Sequence, residues 1–529
     1  MRSANLLVQT LVNAGIDKIF SVSGNQIMSI YDASIGSGLE IVHARHEAGA
    51  VFMADGYARS SGKVGVALVT AAPGFGNALG PLFSVRQTQT PLLLLSGDSP
   101  TARDGMGAFQ ELDQPGISSG LTKQSWRSTN AGRMAEDIAG AIRLAFSGRP
   151  GPVHIALPED VLKADTDSNE AVHEFEPDPM PLGKADLHAL MSHLSSAEKP
   201  LFITGPSIAE CRQPGLAAGL EEALGIPVLT MQSPRGLNDP SLGRVKSILK
   251  AADMIVLIDK DIDFTLGFAD PELIPADKIV VFAAESDSIA RANNLVSGRL
   301  VWGCLADPLT TVKTLMAGKK NKTYNGWRRK VRKAVAERPQ SLSHRQGFTA
   351  PVLVTGIAAH IKALAKPPLL IVDGGEIGQW AQAALPADEM HINGLSGGIG
   401  GSIPQAIGAA LANPGRPVIA VLGDGTAGFH FMEIEIARRC KLPITFVIGN
   451  DRRWGAEVEI QKRQYGEDRL IGCELDDKTR YDTLAKGLGA KGVVVENEES
   501  LMKALDTASR SRGPMVIDAR IDGLPAPTF

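Results

Sequence analysis

Residues 418–451 read VIAVLGDGTAGFHFMEIEIARRCKLPITFVIGND, and the architecture of the chain can be worked out from them. The apolar, β-branched run 418–422 has the composition of a strand buried on both faces. The tight turn Gly423-Asp424-Gly425 then leads into an amphipathic pattern that predicts a helix from about Thr426. A second apolar run, 444–448, follows that helix and stops at Asn450-Asp451. In a right-handed crossover the ends of adjacent parallel strands lie side by side, so Asp424 and Asp451 become neighbours although distant in sequence. Paired carboxylates suit a hard cation such as Mg²⁺, and a Gly-rich turn at a helix start suits a phosphate. The competing reading makes Asp424 a helix cap and Asp451 a turn residue, and a Gly-Asp-Gly triplet alone does not choose between them.

Outward from this unit, short apolar strands alternate with helical stretches in three blocks, residues 1–165, 183–320 and 347–529. The alternation predicts an α/β chain of three doubly wound parallel-sheet domains. Strands are expected at 18–22, 40–42, 64–70, 91–96 and 153–157 in the first block. In the second they fall at 200–204, 226–230, 254–258, 278–282 and 299–301, and in the third at 369–372, the two runs above, and 515–519. Residues 165–182, acidic and Pro-containing, read as an extended linker. The basic stretch 318–339 reads as a solvated helix face and connector, and 520–529 as a short tail. Three such layers in a row point to duplication of one architecture, without a tight sequence repeat.

Composition narrows the function classes. A chain of 529 residues has room for about three ordinary domains. With 44% hydrophobic and 21% charged residues it is a soluble globular chain. A net charge of -4 gives no overall pull toward nucleic acid or a membrane surface. Cys211, Cys304, Cys440 and Cys473 are scattered and form no CxxC pair, which fits a reducing compartment and neither a structural zinc nor a disulfide framework. The first twenty residues read as a helix and a strand, not a signal peptide, and no stretch is apolar for long enough to span a bilayer. The expected location is cytoplasmic.

In the first block, residues 45–80 read RHEAGAVFMADGYARSSGKVGVALVTAAPGFGNALG. Glu47 lies just past a strand at the start of a small-residue helix, where it is either held in an apolar cleft or satisfies orphan amides. The next strand runs into Ala72-Pro73-Gly74, a turn at the strand end where open α/β sheets bind ligands. Phe109-Gln110-Glu111 and Lys123 are polar loop residues further on. In the third block, Gly374-Gly375-Glu376 follow a strand. The segment 393–401, NGLSGGIGG, carries one bulky side chain, Ile399, on a backbone that can approach a ligand closely.

Taken together these segments resemble the thiamine diphosphate enzyme superfamily, on the acetolactate synthase and 2-oxo acid decarboxylase side. The resemblance implies pyrimidine-binding, middle Rossmann-like and diphosphate-binding domains, with thiamine diphosphate and Mg²⁺ as cofactors. It assigns Gly423, Asp424, Gly425 and Thr426 to the metal and diphosphate motif. That motif ends Asn-Asn in the family and Asn450-Asp451 here, so Asp451 falls on the metal-ligating Asn, and the backbone carbonyl of Arg453 on a third ligand. Gly375 and Glu376 lie where diphosphate contacts begin. Gly398 and Ile399 lie in the segment that bends the cofactor, Ile399 as the wedge between its rings. Glu47 matches the catalytic Glu on the aminopyrimidine ring, Pro73 and Asn77 match turn residues near it, Gln110 lines the reaction pocket, and Lys123 matches a Lys that often follows. The Glu hydrogen-bonds a ring nitrogen and so favours loss of the cofactor's reactive proton. His46 and His430 are expected to pack or cap.

The resemblance further implies a homodimer or homotetramer, with the cofactor between the first domain of one subunit and the third of its partner. The expected reaction is decarboxylation or carboligation of a small 2-oxo acid. Acetolactate synthases carry Gly-Met-Val and a Trp after the metal motif, where this chain has Gly455-Ala456-Glu457 and Ile460. Their FAD-binding Arg-Phe-Asp segment is replaced by IDKDIDFTLGF, which makes FAD doubtful. Two alternatives stand beside the first reading: a lyase acting on an acyl-CoA, similar to 2-hydroxyacyl-CoA lyase or oxalyl-CoA decarboxylase, and a cofactor-binding homologue without turnover.

Overall fold

The computed structural model describes residues 1–167, 174–318, 323–343, 346–386, 388 and 390–527. Parts of the expected linker (168–173), basic connector (319–322) and tail (528–529) lie outside the described residues. Among the described residues the strands form three sheets, all parallel. The first contains β1 (Lys18–Ser21), β2 (Glu40–His43), β3 (Gly65–Val69), β4 (Leu92–Asp98), β5 (Ser125–Arg127) and β6 (Pro152–Pro158), in the order β2-β1-β3-β4-β6-β5. The second contains β7 (Pro200–Thr204), β8 (Val228–Thr230), β9 (Met254–Ile258), β10 (Lys278–Ala283) and β11 (Leu300–Leu305), ordered β11-β10-β9-β7-β8. The third contains β12 (Leu369–Val372), β13 (Met390–Ile392), β14 (Val418–Gly423), β15 (Ile444–Asn450), β16 (Lys491–Val495) and β17 (Met515–Arg520), ordered β13-β12-β14-β15-β17-β16.

Numbered within their own sheets, the first and third run 2-1-3-4-6-5 and the middle runs 2-1-3-4-5. All three are therefore doubly wound, as expected, and each reverses direction between its first and third strands, the place where such sheets bind ligands. The central strands are mostly apolar because helices cover both faces; β4, β6, β14 and β15 carry almost no exposed residue.

The first and third sheets share a core. Phe20, Val51, Phe75 and Leu94 belong to one buried cluster with Ile371, Ile407, Ile434 and Phe446. At its centre the helix Glu47–Ser61 lies along the helix Ser402–Ala412, and the two backbones touch. A Cβ on Gly56 would collide with the Gln405 carbonyl, and one on Gly408 with the Met53 carbonyl. The middle sheet has its own core and meets the other domains through polar groups. Arg149 of the first domain pairs with Asp259 at 2.6 Å and Asp261 at 2.8 Å. Gln89 accepts the Ser207 amide at 2.9 Å, and Ser233 Oγ donates to Gln382 Oε1 at 3.3 Å.

Because the Gly408 contact is backbone against backbone, no rotamer change relieves it. Gly408→Val is expected to lower unfolding free energy by about 3 kcal/mol or more, read from urea midpoints. Gly428→Ala, where a Cβ meets nothing within 4 Å, should leave the midpoint close to that of the parent protein.

Candidate active site

At the switch point of the third sheet, β12 and β14 pair side by side and both chains turn into helices, Gly375–Ala384 and Asp424–His430. Gly375 takes φ +79, a conformation that favours glycine. The two helix starts open on one cavity of about 300 Å³, lined by Gly375, Glu376, Ile399, Asp424, Asp451 and Arg453, with Gly423, Gly425 and Thr426 beside them. The helix begins at Asp424, two residues earlier than the amphipathic pattern indicates. Strands β14 and β15 pair in register from Val418 with Ile444 to Gly423 with Gly449, which carries Asp424 and Asp451 to the same end of the sheet.

Asp424 is 3% exposed. Burial first, and then the negative charge of Asp451, push its carboxyl up to about 7, against the pull of the Asp424, Gly425 and Arg452 amides. Burial raises Asp451 as well, and Arg453 Nε, donating to Asp451 Oδ2 at 3.1 Å, offsets part of it. Asn450 is turned the other way: its Nδ2 donates to Asp518 Oδ1 at 2.8 Å, in the sheet interior. Arg453 bridges to Glu474, but the two backbone bonds there are Trp454 N–H to Cys473 O and Leu475 N–H to Arg452 O, so neither uses the Arg453 carbonyl. Tyr481 Oη donates to the Asp424 carbonyl at 2.8 Å and fixes the turn.

Ile399 lines the cavity and Gly398 does not. A Cβ on Gly398 would stand 2.5 Å from Ser84 Oγ of the first domain, so this glycine serves the domain contact. The loop is held by Asp373, a buried residue that the sequence pattern did not single out. Its carboxylate accepts the amides of Gly374 at 2.7 Å, Gly400 at 3.0 Å and Ser402 at 3.3 Å. The signal was there, an Asp directly between a buried strand and two glycines.

The second group of residues sits at the switch point of the first sheet. Glu47 opens the helix Glu47–Ser61, capped by His46 Nδ1, which accepts the Ala48 amide at 3.1 Å. Asn77 Nδ2 donates to Glu47 Oε2 at 2.9 Å, and Pro73 is the first residue of the helix that carries Asn77. Ala72 before it has φ 44 and ψ -92, a strained conformation of the kind that concentrates at functional turns. Gln110 Oε1 accepts from Gln26 Nε2 at 2.8 Å, and Gln26 Oε1 from Thr70 Oγ1 at 2.6 Å; neither Gln26 nor Thr70 was marked by its sequence context. Lys123 is spent elsewhere: it binds the Leu144 and Ser147 carbonyls, and burial draws it down to about 8. His430 packs edge-on to His46 and Phe52.

The cavity at the third sheet is completed by Pro234 and Arg235, and it includes none of Glu47, Pro73, Asn77 or Gln110. Each domain thus carries one part of the expected residue set.

Comparison with known proteins matches the two domains that carry these parts. Residues 1–117 match the N-terminal TPP binding domain of thiamine pyrophosphate enzymes, and residues 373–519 match the C-terminal TPP binding domain. A probable acetolactate synthase of Mycobacterium bovis is 29% identical over 99% of this chain and 96% of its own. The chain belongs to the acetolactate synthase-like superfamily of thiamine diphosphate enzymes. Other relatives of this superfamily carry a different name: a 2-hydroxyacyl-CoA lyase 2 of Caenorhabditis elegans is 28% identical over 96% of this chain and 87% of its own, and one of Homo sapiens 28% over 96% and 88%. Among the described residues, no helix is long and apolar enough to cross a membrane.

In this superfamily member the two halves of the chain are tied together at Glu433. Its carboxylate, 1% exposed and ten residues past Gly423, accepts the amides of Arg45 and His46, both at 3.1 Å, immediately before Glu47. Gly49 is required below it, since a Cβ there would strike Glu433 Oε1. Burial raises the carboxyl from 4.5 to about 7, the two amides opposing. A carboxyl raised on folding keeps its proton in the native state while the unfolded chain loses it, so its contribution to stability falls as pH rises from 4.5 to 7 and is level outside that window. Unfolding free energy of the parent relative to Glu433→Gln is therefore expected to decline between pH 4.5 and 7 in urea titrations. A difference that does not change with pH would contradict the assignment.

Proposed function

We propose that the protein is a thiamine diphosphate- and Mg²⁺-dependent decarboxylase or carboligase acting on a small 2-oxo acid, as in the acetolactate synthases it is similar to. The observation that carries this is the pair Asp424 and Asp451 facing one cavity beside Gly375 and the start of the Asp424 helix, within a matched TPP binding domain. Two carboxylates and Glu376, whose buried Oε2 has no hydrogen-bond partner among the described residues, would repel a diphosphate unless a cation stood between them. The donor set fits such a cation: two carboxylate oxygens and the Arg453 carbonyl, with the remaining positions left to phosphate and water as Mg²⁺ prefers. Among the described residues no group of three or more His, Cys, Asp and Glu is arranged around a metal, so the ligand's own oxygens are part of the reading.

Bound thiamine diphosphate supplies a nucleophilic carbon and an electron sink for breaking a bond next to a carbonyl. The chain's part is positioning and proton control. Asp424 and Asp451 would hold the cation, in place of the bond that Arg453 makes to Asp451. Ile399, which lines the cavity, would pack against the cofactor's rings. Asn77 occupies Glu47 Oε2, which leaves Oε1, beside Gly74, for the ring nitrogen. Gln110 borders the reacting carbonyl. Since Glu47 does not line the cavity of its own chain's Asp424, the reading includes a homo-oligomer in which one subunit's Glu47 meets the other's Asp424.

A second reading, an acyl-CoA lyase, is favoured by one feature. A neighbouring cavity of about 680 Å³ shares Arg235, Glu376 and Ile460 with the first and is lined by Arg244, Lys246 and Arg463. Four cations against Glu376 and Glu459 suit a phosphate-bearing tail.

Titration calorimetry should give thiamine diphosphate binding that requires Mg²⁺, weakened at least about tenfold in Asp424→Asn. Glu47→Gln should keep most of that affinity and lose roughly 10²- to 10⁴-fold in CO₂ release from pyruvate. Binding with no turnover of any 2-oxo acid or 2-hydroxyacyl-CoA would mark a homologue without activity, and no binding would end the reading. Submicromolar affinity for CoA, lost in Arg463→Glu, would decide for the second reading over the first.

A further inference from the structure

We infer that Gln26 is a positioning residue that fixes which end of the Gln110 amide faces the substrate, and that this end is the donor. The inference rests on the reading above that Gln110 borders the reacting carbonyl. A glutamine amide has a donor end and an acceptor end, so a chain of such groups has a direction. Here the direction begins at Thr70, whose hydroxyl donates to Gln26 Oε1 at 2.6 Å. Gln26 Nε2 then donates to Gln110 Oε1 at 2.8 Å. With its oxygen turned to Gln26, the end of the Gln110 amide that faces away from the relay is its NH2 group.

The opposite direction is disfavoured on three counts. It would make Thr70 Oγ1 an acceptor and strand its hydrogen, and among the described residues no other acceptor is assigned to that hydroxyl. Gln26 cannot turn to water instead, being 3% exposed and packed so closely that a Cβ on Gly97 would stand 2.6 Å from its own Cβ. Gln110 cannot swing away either: its backbone has φ 61, rare for a residue with a side chain, and the loop is pinned by Glu111, whose carboxylate accepts the Gly107 and Ala108 amides at 2.9 and 3.0 Å. Thr70 also lies against Gly74, next to Glu47 Oε1, so the relay starts beside the residue proposed to act on the cofactor. The substrate group recognised by Gln110 is therefore a hydrogen-bond acceptor, a carboxylate or carbonyl oxygen, and a hydroxyl or amine donor at that position is poorly received.

Gln26→Glu tests the direction. Ionised, the new carboxylate can only accept, so Gln110 must give it an N–H and present oxygen to the substrate; protonated, it can copy the parent relay. The expected result is a KM for pyruvate raised roughly tenfold at pH 8, returning toward the parent value at pH 5, with kcat changed less and thiamine diphosphate affinity within about twofold. Glu47, Asp98 and Glu111, ionisable groups of the surrounding segments, are present in both proteins and cancel in the comparison. Thr70→Ser, which keeps the hydroxyl, should keep the parent KM. Should Gln26→Glu fail to fold, Gln26→Met serves, with KM raised and cofactor affinity kept. A KM equal to the parent's at pH 8, or a loss of cofactor affinity in step with KM, overturns the inference and leaves the proposed function standing. A parent protein that turns over no 2-oxo acid overturns both.

Discussion

Two acidic side chains that share a poorly hydrated cavity cannot both stay charged without help. At separations of a few ångströms their repulsion is worth several kcal/mol even with an effective dielectric well above that of dry protein. Asp424 and Asp451 are in this position because β14 and β15 run in unbroken register from Val418 with Ile444 to Gly423 with Gly449, and both residues line one cavity at that end of the sheet. The chain itself offers three partial remedies: amides at the Asp424 turn, the Arg453 guanidinium, and a proton on Asp424. Each is weaker than a divalent cation, and the surrounding residues are arranged to hold the carboxylates in place and not to separate them.

The same strand order in the first and third sheets explains why the chain has two candidate loci and not one. A doubly wound sheet offers a crevice where its winding reverses, and two copies of that topology give two crevices with different side chains. In the third, the crevice carries carboxylates and open backbone. In the first it carries Glu47, Asn77 and an amide relay. The middle sheet has a comparable crevice at Asp259, and there it receives Arg149 from the first domain.

Much of this could be read from residues alone, for a physical reason. Strands such as β4 and β14 are buried on both faces, so their sequences carry short continuous apolar runs, told from a buried helix by their length and by the turn residues around them. The strands that escaped notice, β5, β13 and β16, are all at sheet edges, where short length and half-polar composition leave little signal. Asp424 and Asp451 could be paired in advance because the crossover rule acts on strand order. Glu433, Gln26 and Thr70 could not, since each acts through a partner far away in sequence. Gly398 was placed in the right loop, but its lack of a side chain serves Ser84 of the neighbouring domain.

The contrast between the two kinds of domain seam has a mechanical consequence. The first and third layers are joined by a shared apolar core and by helices in backbone contact, and charged groups such as Arg45 and Glu435, 2.9 Å apart, add to that seam. The middle layer has its own core and leans on the others through guanidinium, carboxylate and amide groups that are themselves largely buried. Arg235 and Arg244 belong to the middle domain while Ile460 and Arg463 belong to the third, so the cavity of about 680 Å³ spans this polar seam and its width is set by how the two domains meet.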